Sequence, residues 1–312
     1  CGEHYLQIDE MSQRLWSAAE DAGITLVVLP VLYSYGGFDQ RPLQGAQFRF
    51  SNSLEDYLRL LEKVRDFADC RGNCGYGASA HSLRAVAPEQ LLELEAVSHR
   101  DHSDIPFHIH VAEQMNEVEE CIALLGTRPV EWLCEKVNVD HRWCFIHATH
   151  VVDQELESMV DRDVVVGLCP TTEANLGDGL FPVTKFLALG GKFGIGSDSQ
   201  VCSDPSRELQ LLEYGQRLAH HRRALLMNSD EKHNGNALVR SAVEGGSRAC
   251  GRPLFGITVG APADLVELNT DSPRLSGRTA AEALDSWIFA GADNSVRTVL
   301  VMGSEVVTEC QH

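Results

Sequence analysis

The chain has 312 residues, of which 44% are hydrophobic and 23% are charged, and these ordinary globular proportions exclude disordered and fibrous proteins. Lysine and arginine total 26 against 45 aspartates and glutamates, which gives a formal charge of −19. The basic clusters on which nucleic-acid binding depends are absent from the sequence, so that class of function is excluded as well.

Short β-branched runs alternate with segments of helical period over most of the chain, a pattern typical of βαβ units around a parallel sheet. In chain order, the predicted strands cover residues 25–32, 76–79, 107–111, 143–147, 164–169 and 193–195. The predicted helices cover residues 9–22, 54–68, 113–125, 153–160 and 207–226. The strands are near-continuous apolar runs, which indicates that both of their faces are buried.

The pattern changes after Arg252, where short strands are joined by glycine and proline turns. We therefore expect residues 1–251 to form a partial, TIM-type (β/α)8 barrel and residues 252–312 to form the C-terminal part of a small β-sandwich domain. A complete barrel needs eight βα units in about 250 residues, and about six are found here. Because the deficit lies before residue 25 and the chain begins with Cys1, we expect a truncation at the N-terminus.

The ten cysteines include no CxxC pair, and several lie in apolar runs, such as Cys144 and Cys169. This usage is typical of reduced, buried thiols in a cytosolic protein. The longest apolar stretches, such as residues 26–32, fall far short of the ~20 residues that span a bilayer. We therefore predict a soluble cytoplasmic protein that binds neither membranes nor nucleic acid, and a homodimer is compatible with the sequence.

Polar side chains collect where the predicted strands end, which is the end of a parallel barrel that carries its chemistry. His81 and Arg84 follow the second strand, with a surface turn as the alternative interpretation. His108 and His110 are two residues apart on the third strand and so share one face of it. One interpretation is that they are metal ligands, with Glu113 nearby as a proton carrier. The alternative is a pair of hydrogen-bonded core histidines.

The fourth strand delivers His147 at its end, whereas His150 falls on the following turn. Asp198 closes the sixth strand among small residues, a poor choice for packing and a good one for a metal ligand or general base. A helix N-cap is the alternative for Asp198. Histidines on successive strands and an aspartate on the last strand together indicate a site for one divalent metal ion.

This order of residues, with the segments PVLYSYGGF, HSLRAV, HIHVAEQ, HATHV, GLCPTTEANLGDGLFP and GIGSDS, resembles the amidohydrolase superfamily and, within it, the formimidoylglutamate deiminases. The resemblance covers nearly all of the chain. It implies a zinc-dependent hydrolase that acts on the C–N bond of an amidine. The implied reaction converts N-formimino-L-glutamate, a small dicarboxylate, into N-formyl-L-glutamate and ammonia in histidine degradation.

The resemblance also implies the roles of individual residues. Those roles are metal ligands for His110 and Asp198, catalytic residues beside the attacking water for Glu113, His147 and Asp198, and substrate contacts for His81 and Arg84. The family takes two further ligands from an HxH motif on its first strand, and this motif is absent here, because the HxH at 108–110 is followed by the Ala-Glu-Gln of the fifth-strand motif. We therefore expect the 312-residue chain by itself to be inactive.

Two other functions fit the same residues. Another deaminase of the superfamily, acting on a nucleobase or a guanidino compound, would share the metal ligands. It would differ at Arg84, whose planar guanidinium matches a carboxylate, and in the loop at 170–175. A catalytically dead, truncated barrel is the third interpretation, for which the absent HxH is the best argument.

Overall fold

The computed structural model describes residues 5–70, 74–199, 202–227, 231–252, 254–290 and 295–308. Its strands are β1 Leu26–Val28, β2 Val31–Leu32, β3 Cys74–Tyr76, β4 Ala78–Ser82, β5 Phe107–Val111, β6 Trp143–His147, β7 Val165–Leu168, β8 Lys192–Ile195, β9 Leu265–Leu268, β10 Val296–Val301 and β11 Ser304–Val307. Its α-helices are α1 Glu10–Asp21, α2 Leu54–Asp69, α3 Pro88–Asp101, α4 Met115–Leu125, α5 Pro129–Lys136, α6 Asp153–Asp161, α7 Pro170–Leu176, α8 Val183–Ala188, α9 Pro205–His220, α10 Asn234–Ala249 and α11 Ala280–Phe289.

Six parallel strands form the main sheet in the order β2-β4-β5-β6-β7-β8, with helices between successive strands. Since the spatial order follows the chain order, the carboxyl ends of all six strands lie along one edge of the sheet. The core between the sheet and the helices is aromatic at its centre, where the Phe107 and Trp143 rings stack with centroids 4.1 Å apart. The predicted parallel α/β architecture is confirmed.

The first two predicted strands are each interrupted. Pro30 has no N–H to donate, and it separates β1 from β2. At Gly77, between β3 and β4, a Cβ would lie only 2.7 Å from the carbonyl oxygen of Pro106. The buried Tyr57 hydroxyl forms a hydrogen bond near each of the two breaks. It donates to the carbonyl of Pro30 (3.1 Å), and it accepts from the N–H of Ser79 (2.9 Å), two residues after Gly77.

Two helices differ from the predicted bounds by more than one residue at an end. The helix predicted over 113–125 begins only at Met115, since Ala112 has a left-handed backbone (φ +50°) and the chain turns before it enters α4. The helix predicted over 207–226 ends at His220, because His221 adopts a left-handed conformation (φ +54°). Glycine usually occupies such a position, so a histidine there does not signal a helix end.

The C-terminal segment contains an antiparallel sheet in the order β11-β10-β9 and the helix α11. This helix packs against helices α9 and α10. Gln210 of α9 donates to the carbonyl of Ile288 (2.8 Å), and Asp285 accepts from the backbone N–H of Gly235 (2.6 Å) at the start of α10. The domain boundary at residue 252 stays a prediction.

The eight described cysteines are free thiols, and Cys121, Cys134, Cys144 and Cys169 are buried, whereas Cys70 and Cys250 are exposed. Cys1 and Cys310 lie outside the described residues. Within the described ranges, no helix combines the length and apolar character that crossing a bilayer requires.

Candidate metal centre

The carboxyl edge of the main sheet brings together most of the residues that the strand ends predict. The ring centroids of His81 and His110 are 4.9 Å apart, and those of His110 and His147 are 5.7 Å apart. His147 Nε2 lies 3.7 Å from Asp198 Oδ2 and 3.8 Å from Glu113 Oε1. Three imidazoles and two carboxylates from β4, β5, β6 and the loops after β5 and β8 thus form one cluster.

His108 is not part of this cluster. It shares a strand face with His110 but lies two residues nearer the amino end of β5. Its Nε2 is 2.7 Å from the carbonyl oxygen of Ala249, the last residue of α10. His108 is therefore a hydrogen-bonded core histidine, which is one of the two interpretations that the sequence left open.

His110 is oriented by a single backbone contact. Its Nδ1 lies 2.8 Å from the carbonyl oxygen of His81, and because a carbonyl can only accept, Nδ1 carries the proton. Burial lowers the pKa of His110, with the neighbouring His147 and Arg84 acting in the same direction. The neutral ring therefore keeps a lone pair on Nε2, which is the form in which histidine binds a metal.

His147 ends β6 in a left-handed backbone (φ +68°) and is only 1% exposed. Its Nδ1 lies 3.3 Å from Oε1 of Glu173, while its Nε2 is buried without a hydrogen-bond partner among the described residues. Burial alone would lower the pKa of His147, but the Glu173 hydrogen bond and the carboxylates of Glu113 and Asp198 outweigh it and raise the pKa overall.

The donor atoms at this edge fit a divalent metal. One donor atom each of His147, Cys169 and Asp198 lie within 4.8 Å of one another, and the buried Nε2 of His147 has no partner. Burial raises the pKa of the Cys169 thiol, so Cys169 is a weaker donor than the imidazoles and the carboxylate. Nitrogen and carboxylate donors of this kind suit a zinc-type ion.

Glu113 lies between the rest of the cluster and Arg84 and contacts both. Burial raises the pKa of Glu113, with the Asp178 and Asp198 carboxylates adding to the effect. Arg84 Nη2 is 4.0 Å from Glu113 Oε2, and its Nε is buried with no hydrogen-bond partner in the described part of the chain. Arg84 therefore retains hydrogen-bonding capacity for an anion.

His81 and Arg84 open onto a cavity that Tyr33, Tyr35 and Arg41 also line. The His81 and Tyr33 rings meet edge to face, with centroids 4.7 Å apart. Burial, together with the neighbouring His110 and Arg84, lowers the pKa of His81 to about 3, so His81 is neutral at pH 7. The two residues predicted to face a substrate thus do line one cavity beside the cluster.

Three residues of the site were not assigned their roles from the sequence. One of them, Glu173, lies in the segment 170–175, which was predicted to be a loop and forms helix α7 instead, because Pro170 begins the helix. Glu117 accepts the backbone N–H groups of Ala112 and Glu113 (2.9 and 3.1 Å), Glu173 accepts that of Cys169 (2.8 Å), and Cys169 itself joins the donor group. The two glutamates lie on helices, where sequence alone predicts a solvent-exposed polar face. Of these three residues, only Cys169 could have been recognised from the sequence, because it comes at the end of a buried strand and directly before Pro170.

The amidohydrolase family profile matches residues 7–306. The formimidoylglutamate deiminase of Pseudomonas aeruginosa is 45% identical over 311 residues, which are 100% of this chain and 68% of that protein. The crystal structure of an amidohydrolase from Brucella melitensis has a TM-score of 0.93 at 45% identity, over 100% of this chain and 68% of that one. A zinc-containing adenosine deaminase from Xanthomonas campestris has a TM-score of 0.82 at 21% identity (99% and 66% covered) and supports the fold alone.

The chain thus spans about two thirds of the length of these relatives. The expected fold class, a parallel barrel of the amidohydrolase type, is confirmed by the fit to the Brucella structure. The family profile covers the predicted barrel from residue 7 onward, and the 45% identity extends over the strands that carry the clustered histidines and Asp198. The chain belongs to the amidohydrolase family.

Proposed function

We propose that this protein is a cytoplasmic iminohydrolase of histidine degradation that converts N-formimino-L-glutamate into N-formyl-L-glutamate and ammonia. The observation that carries the substrate class is Arg84, a guanidinium with an unpartnered Nε at the side of the cluster. Its planar fork matches a carboxylate of the glutamate moiety. The deiminase of P. aeruginosa, at 45% identity, supports the same substrate.

We assign the metal to His110 and Asp198 and propose that it is zinc. The free lone pair on His110 Nε2 and the Asp198 carboxylate are suitable donors, and His147 is their immediate neighbour. A divalent ion held there would lower the pKa of water to ~7 and so supply a nucleophile at neutral pH.

The carboxylates then move the protons. As water adds to the formimino carbon, a C–O bond forms and Asp198 Oδ2 accepts the released proton. Glu113, whose raised pKa lets it hold a proton, gives that proton to the imino nitrogen. When the C–N bond breaks, Asp198 passes its proton to the same nitrogen, ammonia leaves, and Glu113 takes the second water proton from the hydroxyl group as the C=O bond of N-formyl-L-glutamate forms. His147 Nε2 lies 3.7 Å from Asp198 and 3.8 Å from Glu113. From there it stabilises the negative charge on either carboxylate as the protons are transferred.

The net charge makes a local cation necessary. A protein of charge −19 repels a dicarboxylate at long range, although salt screens this beyond ~8 Å. Attraction must then come from side chains within the cavity, and Arg84 and Arg41 both line it. Neutral His81 adds a hydrogen-bonding group without adding charge.

The test is ammonia release from a panel of substrates by the purified, zinc-loaded protein, produced with the residues that flank this chain in its gene. We expect turnover of N-formimino-L-glutamate and none of cytosine or guanine. Turnover of a nucleobase instead would identify the other deaminase, and turnover of none of them would support the dead barrel.

A separate measurement concerns the 312 residues alone. We propose that they retain less than one zinc per chain after dialysis against micromolar zinc, because catalytic zinc normally has three protein ligands and only His110 and Asp198 are assigned here. One zinc per chain together with turnover would show that the ligand assignment is wrong, and His147 would be the first substitute to test.

A further inference from the structure

Glu173 is a buried carboxylate that contacts one residue of the cluster directly. It is 5% exposed, and its Oε1 accepts the backbone N–H of Cys169 at 2.8 Å. The same oxygen lies 3.3 Å from Nδ1 of His147. An ionised carboxylate can only accept, so the proton in this contact belongs to Nδ1, and the neutral ring then keeps its lone pair on Nε2.

The His147 ring stacks on His110, with centroids 5.7 Å apart, but within the described part of the chain it makes no second hydrogen bond. Its Nε2 is 3.7 Å from Asp198 and 3.8 Å from Glu113, which is beyond hydrogen-bond distance. Among the described residues, the contact with Glu173 is thus the single hydrogen bond of the imidazole. The orientation of the ring and the position of its proton both depend on that contact.

The backbone does not determine this orientation either. His147 and Ala148 have consecutive left-handed conformations (φ +68° and +49°), so the chain leaves the regular alternation of β6 at this point. The backbone fixes the direction of Cβ, whereas the rotation of the ring, which decides which nitrogen faces Glu113 and Asp198, is left to side-chain contacts. The partner that makes such a contact is normally close to the histidine and hydrogen-bonded through the nitrogen that does not react.

We propose that Glu173 is a positioning residue that holds His147 with its proton on Nδ1 and its Nε2 facing Glu113 and Asp198. The consequence for catalysis rests on the proposed function, whereas the tautomer itself does not. A purely local role, bracing the start of α7 through the Cys169 N–H, is the competing explanation. Glu208 provides the comparison, because it accepts from the N–H (2.9 Å) and the hydroxyl of Thr171 without contacting a histidine.

The experiment compares Glu173→Gln with Glu208→Gln in the full-length protein. Nitrogen-15 NMR of labelled histidines reports which ring nitrogen carries the proton, and a His147→Asn sample assigns the signal. With the spectra recorded at a pH above the raised pKa of His147, where the ring is neutral, we expect the Nδ1–H form in the wild type and in Glu208→Gln, with and without chelation of metal. In Glu173→Gln we expect a mixed tautomer and a kcat lowered about 10- to 100-fold, with KM and zinc content unchanged.

Two results would overturn the proposal: a wild-type His147 with its proton on Nε2, or a Glu173→Gln protein that keeps both kcat and tautomer. If Glu173→Gln fails to fold by circular dichroism, the wild-type spectrum still decides. If the wild type does not release ammonia from N-formimino-L-glutamate, the proposed function fails while the tautomer measurement still tests the role of Glu173.

Discussion

Two adjacent glycines of α10 are expected to respond in opposite directions to the same substitution. A Cβ at Gly245 would lie 1.9 Å from the carbonyl oxygen of Phe193 and 2.2 Å from its carbonyl carbon, both backbone atoms of β8. A Cβ at Gly246 would meet nothing within 4 Å. Since backbone atoms cannot move aside by changing rotamer, Gly245→Ala forces α10 and β8 apart by about 1 Å.

The magnitudes follow from these contacts. Overpacking costs about 1–3 kcal/mol, and a clash with backbone belongs at the upper end of that range. The helix propensity of alanine returns at most about 1 kcal/mol, so Gly245→Ala should lower the free energy of unfolding by about 2 kcal/mol. Gly246→Ala has only the propensity gain and should raise the free energy of unfolding by about 0.5–1 kcal/mol.

Urea unfolding followed by circular dichroism measures both variants against the wild type. We expect midpoints on opposite sides of the wild-type midpoint, with the slope unchanged. Because β8 leads directly to Asp198, Gly245→Ala should also lower turnover, and Gly246→Ala should not. Equal midpoints for the two variants would refute the close approach of α10 to β8.

Three further substitutions test the site. Asp198→Asn should lower turnover by several orders of magnitude without changing the unfolding midpoint, because it removes a metal ligand and a proton acceptor together; near-normal turnover at full metal occupancy would contradict this. Arg84→Met should raise KM about 10- to 100-fold with zinc retained, since a charge-assisted hydrogen bond contributes about 1.5–3 kcal/mol, whereas the exposed Arg100→Met serves as control. The pKa of His81 is about 3 in the folded protein and about 6.5 in the unfolded chain. As the pH falls, the unfolded chain therefore binds the proton first. The contribution of this group to the free energy of unfolding decreases between pH 6.5 and pH 3. His81→Gln should therefore reduce the loss of urea midpoint between pH 7 and pH 5, and an unchanged loss would count against the burial of His81.

The strands were the most predictable part of the fold. The bounds predicted for β5 and β6 match the structure, because β5 alternates buried apolar residues with its two histidines and β6 is an apolar run that ends at His147. The break at Pro30 follows from its missing N–H, but the break at Gly77 depends on the approach of Pro106, which only the packed fold creates. The end of α9 was unpredictable for a related reason, since His221 adopts a conformation that usually belongs to glycine.

The cluster could be predicted as far as strand ends determine it. Parallel strands in chain order place their carboxyl ends side by side, so His110 of β5 and His147 of β6 had to be neighbours once the strands were right. Asp198 follows β8, which is not adjacent to β6, and its approach to His147 across the end of β7 depends on the packed fold. Whether His108 or His110 reaches the edge could not be decided from alternation, because both share a face and differ only in depth. Glu173 was beyond prediction, as its partner lies 26 residues away on another element.

Buried glutamates explain how this edge keeps its shape. The chain leaves β5 and β6 through left-handed backbone at Ala112 and His147, and such turns leave N–H groups inside the protein that need acceptors. Glu117 accepts two of these after β5, and Glu173 accepts one after β7. Burial raises the pKa of Glu117. Its negative charge is therefore destabilised at the position where the carboxylate accepts the backbone N–H groups. With Glu113 and Asp198 in the same cluster, a positive charge at the centre offsets that destabilisation, so the carboxylates that brace the loops also favour the binding of a divalent cation.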